Sequence, residues 1–444
     1  MSRFHKVAVL GLDGVPFSLL QELFATGVMP RLAEVARSGS FMRMETSLPC
    51  VSSVAWTSFM TGKNPGGHGI FGFTDLAPGR IALRLPSFDD ISSPVMWHVA
   101  QGKRSVVVNL PFTYPARPLP GLLISGFVAP ILERSVYPPT LINWLKSTNY
   151  RTDVDAVKGR QDRQSFIRDL FETLTIHSEV ILKLMSQERW DLFIGVITGT
   201  DRLHHFFFDA AYDPSHPLRD VFLDYYRRVD SFVGRYVERC DQATRLAVLS
   251  DHGFTQLKTQ IYLNNILETM GCLHFSNPRP RLLEDIHPGS KAFAMDPSRI
   301  YLNSRDRIHG GSLSPGEAHT FRTKLKYDLE SLKLSDVGIQ GSEGLERPDD
   351  PLFEGVRMKE EIYDGKCLPW APDLVVLPRP GYDIKAALHV RGPAMTDIFT
   401  GMHTHDDAFL ILNDPAAEKR LPRPFITDVF GLVMEVLHPA LTSA

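Results

Sequence analysis

The chain has 444 residues, 43% of them hydrophobic and 22% charged, with a formal net charge of -3. That length favours one large α/β core with an insertion, or two domains, and the composition is that of an ordinary globular protein. Near-neutral charge without a basic tail gives no electrostatic basis for binding a nucleic-acid polymer, and four scattered cysteines (Cys50, Cys240, Cys272, Cys367) make neither a disulfide framework nor a structural zinc site.

Residues 6–15 read as a buried strand ending in Asp13-Gly14, because a continuous apolar run fits a parallel strand covered on both faces. Its apolar part is too short for a signal peptide or a membrane span, so a cytoplasmic protein with no membrane partner is expected. Residues 16–37 carry helical spacing broken at Gly27, and 41–46 form a strand that leads into a serine-rich turn. Strands at 105–110 and 122–125, a long amphipathic helix at 163–186, a buried strand at 190–198, a helix at 221–239 and another buried strand at 245–250 follow. The alternation predicts a doubly wound, mainly parallel α/β sheet, with functional groups beyond the C-terminal strand ends. The pattern weakens over 255–371, expected to be an inserted cap lobe containing a strand at 299–302 and a helix at 315–332. The core, 1–254 and 372–444, is expected to resume with strands at 373–377 and 408–412 and a closing helix at 425–437.

Around the serine turn, Ser52-Ser53 precedes an apolar segment stopped by Gly62, so either serine is placed at a helix N-cap. Unpaired backbone N–H groups there favour an alkoxide or a phosphoryl group. Elsewhere, acids and histidines gather at strand ends. Asp13 ends the first strand. Asp201 and His205 follow the 190–198 strand, and their i, i+4 spacing turns both to one helical face, where they can share an ion. Asp251-His252-Gly253 follows the 245–250 strand, and His403 precedes the 408–412 strand, with His405 the weaker candidate. Carboxylate with neutral imidazole suits zinc, manganese or iron better than calcium. His68, His98 and His309 read as surface or core residues, and His204 as a supporting or solvent-facing one.

This order of groups resembles the alkaline phosphatase superfamily, in particular its type I phosphodiesterase/nucleotide pyrophosphatase branch. The matching pieces are Gly11-Leu12-Asp13-Gly14, the serine turn through Trp56-Thr57-Ser58-Phe59-Met60-Thr61-Gly62 and Asn64-Pro65-Gly66-Gly67-His68-Gly69, the Asp201 to His205 segment, Asp251-His252-Gly253, Ala371-Pro372-Asp373 and Gly401-Met402-His403. The resemblance implies two divalent metal ions, zinc with manganese as the alternative. One would be held by Asp201, His205 and His403, the other by Asp13, Asp251, His252 and the nucleophile. The nucleophile falls on Ser52, ten residues before Gly62, where many relatives carry threonine. Nucleotide pyrophosphatases also have an asparagine three residues after the nucleophile to hold a phosphate oxygen; here that residue is Ala55. A backbone N–H near Ser53, or Arg202, is the alternative clamp.

The implied activity is hydrolysis of a small-molecule phosphate ester through a phospho-Ser52 intermediate. A phosphodiester or pyrophosphate substrate is expected, with Trp56, Phe71 and Phe206 to Phe208 available to line a pocket for its second group. Phosphomonoesterase and phosphomutase activity are the alternatives, and a non-catalytic ligand-binding protein is a further one. The serine turn lacks the sulfatase pattern.

Overall fold

Uninterrupted apolar runs become the middle of one sheet. Lys6–Leu12, Ser105–Leu110, Leu192–Ile197 and Thr244–Leu249 are strands with every residue but Lys6 buried, as expected of strands covered on both faces. The computed structural model describes residues 4–340, 346–390, 392–395 and 398–439. They fall into two units. The first comprises Met1–Lys63, Ser87–Thr255 and Ile398–Ala444; the second, Asn64–Pro86 and Gln256–Asp397.

In the first unit an eight-stranded sheet runs in the order Ser40–Met44, Ala408–Leu412, Thr244–Leu249, Lys6–Leu12, Leu192–Ile197, Ser105–Leu110, Gly121–Ser125, Val136–Tyr137. The five strands from Thr244–Leu249 to Gly121–Ser125 are parallel. Ala408–Leu412 pairs antiparallel with both of its neighbours. Long helices cover the sheet, among them Arg163–Gln187, started by the Asp162 side chain accepting from the Ser165 N–H, and Arg219–Val237. Phe206, Phe207 and Phe208 are buried in this core. They therefore do not line a second-group pocket; three consecutive aromatics beside a packed helix bury more apolar area inside than at a rim.

The expected return to the core at residue 372 is corrected. Leu374–Pro378 pairs antiparallel with Arg299–Leu302 and Phe353–Met358 in a four-stranded sheet of the second unit, which also takes in residues 64–86. A short apolar run carries the same signal in either sheet. The second unit also holds the helix Pro315–Glu330, opened by a Ser314/Glu317 capping box, and buries Phe71. Among the described residues no helix is long and apolar enough to cross a membrane.

Because Thr244–Leu249, Lys6–Leu12 and Leu192–Ile197 are adjacent and parallel, the turns that follow them emerge side by side. Gly14 makes the first of these turns at φ +66, a left-handed conformation that disfavours a side chain. Its N–H donates to Asp251 Oδ1 at 3.0 Å. Gly11 is needed for a different reason: a Cβ there would lie 2.5 Å from the Trp56 ring. Gly11→Ala is expected to cost about 1–3 kcal/mol of unfolding free energy by overpacking. Urea denaturation checks it, and a loss below about 0.5 kcal/mol would show that the indole has room to move.

Candidate active site

The helix Gly199–Phe207 carries Asp201 and His205 one turn apart. The strand Gly401–Thr404 brings His403 against them. His403 Nε2 lies 3.1 Å from Asp201 Oδ1 and 3.1 Å from His205 Nε2, and His205 Nε2 lies 3.5 Å from Asp201 Oδ1. On the other side of Asp201, His252 Nε2 is 3.9 Å from the same Oδ1, 3.7 Å from Asp13 Oδ1 and 3.4 Å from Asp251 Oδ2. Asp201, His205 and His403 thus form one candidate metal group, and Asp13, Asp201 and His252 a second that shares Asp201. Asp251 adjoins the second through His252.

The two histidines that meet face to face have their tautomers fixed from behind. His252 Nδ1 lies 3.1 Å from the Gly253 carbonyl oxygen, and His403 Nδ1 lies 3.1 Å from that of Cys50. A carbonyl only accepts, so each Nδ1 carries a hydrogen, and in the neutral form of each ring the lone pair lies on the Nε2 that faces the cluster. The rings stack with centroids 3.8 Å apart.

Ser52 reaches this cluster from the start of the helix Ser52–Thr61. The N-cap is Val51, not a serine, so the expected capping role is corrected: Ser52 is the first helical residue. Its hydroxyl turns away from the backbone, donating to Asp13 Oδ1 at 3.3 Å and lying 3.2 Å from His252 Nε2. The first intrahelical bonds run from the Val54 and Ala55 N–H groups to Val51 O, so the Ser52 and Ser53 N–H groups sit ahead of them at the positive helix end. Ser53 is buried and its hydroxyl has no hydrogen-bond partner among the described residues.

Burial first, then the Asp251 and Asp201 charges, push the Asp13 carboxyl well above its ordinary value, against the Trp56 hydrogen bond. Burial pushes Asp251 up to about 7, helped by Asp201. At Asp201 burial also acts upward, but the His205 and His403 imidazoles and the Arg202 guanidinium outweigh it and hold that carboxyl well below the usual range. Burial, then His403, keeps His252 neutral. Carboxyls raised by one another's charge are what a cation site looks like before the cation arrives.

Several residues have other places than the sequence suggests. Trp56 is fully buried and donates from Nε1 to Asp13 Oδ2 at 3.1 Å. It orients a carboxylate and has no surface for a substrate. Arg202 contacts Asp201 Oδ2 at 3.2 Å, but most of its fork is taken by Asp153, with Nη2 2.6 Å from Asp153 Oδ2. His204 is buried rather than solvent-facing; its Nδ1 donates to Gly14 O at 2.9 Å and its Nε2 accepts from the Tyr226 hydroxyl at 2.6 Å, tying the turn after Lys6–Leu12 to the helix Arg219–Val237. Thr200, which the sequence does not single out, donates to the Asp13 carbonyl at 2.6 Å. Nothing in the sequence around Asp153 marks it, because its partner Arg202 lies 49 residues on. Cys50 sits beside His403 with its thiol directed to the Thr404 carbonyl at 3.1 Å.

The profile of the type I phosphodiesterase/nucleotide pyrophosphatase family matches residues 7–406. Among solved structures, phosphonoacetate hydrolase from Sinorhizobium meliloti with phosphonoacetate bound aligns at a TM-score of 0.64 and 16% identity, covering 98% of this chain and 96% of that one. An inactive form of murine ectonucleotide pyrophosphatase/phosphodiesterase 5 with AMP aligns at 0.56 and 14%, covering 98% and 95%. The human counterpart aligns at 0.54 and 14%, covering 97% and 94%. No curated protein matches in sequence. The chain belongs to the type I phosphodiesterase/nucleotide pyrophosphatase family of the alkaline phosphatase superfamily, and it is a phosphoric ester hydrolase with that superfamily's α/β fold.

Proposed function

We propose that the protein cleaves a phosphodiester or pyrophosphate bond in a small, nucleotide-like molecule, with Ser52 as nucleophile and two divalent cations, zinc or manganese, at the Asp/His cluster. The observation that carries this reading is the Ser52 hydroxyl, held within 3.3 Å of Asp13 and 3.2 Å of His252 at a helix N-terminus. The donors fit cations. Asp251 Oδ2 is buried without a hydrogen-bond partner, and imidazole nitrogens and carboxylate oxygens crowd within 4.8 Å of one another in each group. Asp201, His205 and His403 would hold one ion, and Asp13, Asp251, His252 and Ser52 the other. Bound there, the cations supply Lewis acidity at the phosphoryl oxygens and favour the ionised hydroxyl.

The chain's own groups do the rest. Trp56 fixes Asp13, leaving its Oδ1 to accept from the Ser52 hydroxyl. Attack passes the Ser52 proton by way of Asp13 Oδ1 to solvent, forms the Oγ–P bond and breaks the P–O bond to the leaving group, which departs as an alcohol after protonation by water or as a phosphate; hydrolysis of the phosphoryl ester left on Ser52 restores the hydroxyl and completes turnover. With Ala55 unable to clamp a phosphate oxygen, the Ser53 hydroxyl and the first-turn N–H groups are the donors left for it. Arg202 is already neutralised by two carboxylates, which favours a singly charged diester over a doubly charged monoester. The phosphonoacetate and AMP bound in the structural neighbours are, like the substrate proposed here, small phosphorus-containing anions.

Assays of bis-nitrophenyl phosphate beside nitrophenyl phosphate, with zinc or manganese added, test the substrate class. The expected result is a kcat/KM for the diester at least about tenfold higher, a difference of about 1.4 kcal/mol in barrier. A monoester preference would turn the reading to phosphomonoesterase.

A further inference from the structure

The Asp201 carboxylate is divided between two environments. Its Oδ1 faces His403, His205 and His252 at 3.1, 3.5 and 3.9 Å. Its Oδ2 points the other way and accepts from Arg202 Nη1 at 3.2 Å. Arg202 is gripped by Asp153: Nε lies 3.2 and 3.1 Å from the two Asp153 oxygens and Nη2 2.6 Å from Oδ2. The Phe127 ring packs 4.7 Å from the guanidinium carbon. The segment bearing Asp153 is itself pinned. Buried Asp169, on the helix Arg163–Gln187, pairs with Lys158 at 3.2 Å and also with Arg151, and it accepts from the Asp155 N–H at 2.8 Å.

From this chain of contacts we infer that Asp153 and Arg202 are positioning residues that hold Asp201 as a one-oxygen cation ligand. The inference rests on the two-cation reading above. Two physical effects follow. The Arg202 fork stops the carboxylate from rotating, so only Oδ1 is presented to the histidines. Asp153 cancels the Arg202 charge, so the cluster is not faced by an uncompensated cation that would repel a metal ion. Removing Asp153 undoes the second effect at once and loosens the first.

Stepwise cation titration of the metal-stripped full chain, in competition with a chromophoric chelator and using zinc alone, tests the proposal. Asp153→Asn is expected to weaken one of the two binding steps about 10- to 100-fold, the range seen when a partner behind a metal ligand is removed, and to leave the other near wild type. Asp153→Glu, which restores the carboxylate, should recover most of the loss. Arg202→Lys, with one point donor in place of the fork, should repeat the selective weakening and serves if Asp153→Asn does not fold. Two unchanged steps, or equal weakening of both, would overturn the positioning role. The wild-type control separates the layers: no zinc uptake by wild type sinks the two-cation reading itself, whereas normal uptake by both proteins sinks only this inference.

Discussion

Ser52→Ala should lower hydrolysis of phosphoric esters by about 10^4- to 10^6-fold, the range seen when a covalent nucleophile is deleted. The cation content should stay close to that of wild type. The asymmetry comes from what the side chain does. Asp13, Asp201, His205, His252 and His403 already supply two overlapping ligand groups without it, so losing one hydroxyl removes the attacking oxygen and leaves the cluster. Ser53 is the internal control. It is the next residue, equally buried, but its hydroxyl touches none of the ligand groups. Ser53→Ala should therefore cost only what one lost donor to a phosphate oxygen costs, at most about 10^2- to 10^3-fold. Rapid quenching with a phosphorus-labelled diester should leave label on the peptide containing Ser52 in wild type and none in Ser52→Ala. If Ser53→Ala abolishes turnover and Ser52→Ala does not, the nucleophile has been assigned to the wrong serine.

What the sequence could and could not show follows the range over which its signals act. Strand runs such as 105–110 and 408–412 lie where their apolar patterns place them, because burial on both faces leaves a strong local mark. Asp201 and His205 could be paired from spacing alone, since a helix turn fixes their relation. The sheet to which a run belongs was not legible: Leu374–Pro378 reads like a core strand yet pairs within the other unit. Neither was the difference between touching a substrate and holding a ligand. Trp56 looked like a pocket aromatic, and only three dimensions show its Nε1 on Asp13. Arg202 looked like a free cation beside the site, and only the fold reveals Asp153. The buried His204 bridge between Gly14 and Tyr226 likewise joins residues far apart in the chain.

Cation binding should be strongly pH-dependent, and removing the cations should abolish turnover. In the metal-free protein the Asp251 carboxyl is pushed up to about 7, chiefly by burial, and Asp13 is raised as well. A raised carboxyl is protonated where an ordinary aspartate, near about 3.9, is already ionised. Between those two values the empty site holds a proton that an incoming cation must displace. Apparent affinity should thus rise with pH by about tenfold per unit for each proton displaced, and the part of that slope due to Asp251 should level off above about 7. Asp201 has the opposite sign: held well below its ordinary range, it is ionised throughout this window and contributes no slope. His252 contributes none either, because burial keeps it neutral and its Nε2 lone pair is already available. Cations at about 100 times their dissociation constant should add about 2.7 kcal/mol of stability for each bound ion, a gain that shrinks as acid weakens binding. Calorimetric titration of the stripped protein with zinc in buffers of different ionisation enthalpy counts the protons released. Uptake that releases no proton at pH 6, with affinity flat from pH 5.5 to 7.5, would mean that Asp13 and Asp251 are not ligands, and the Ser52 hydroxyl would then lack the cation proposed beside it.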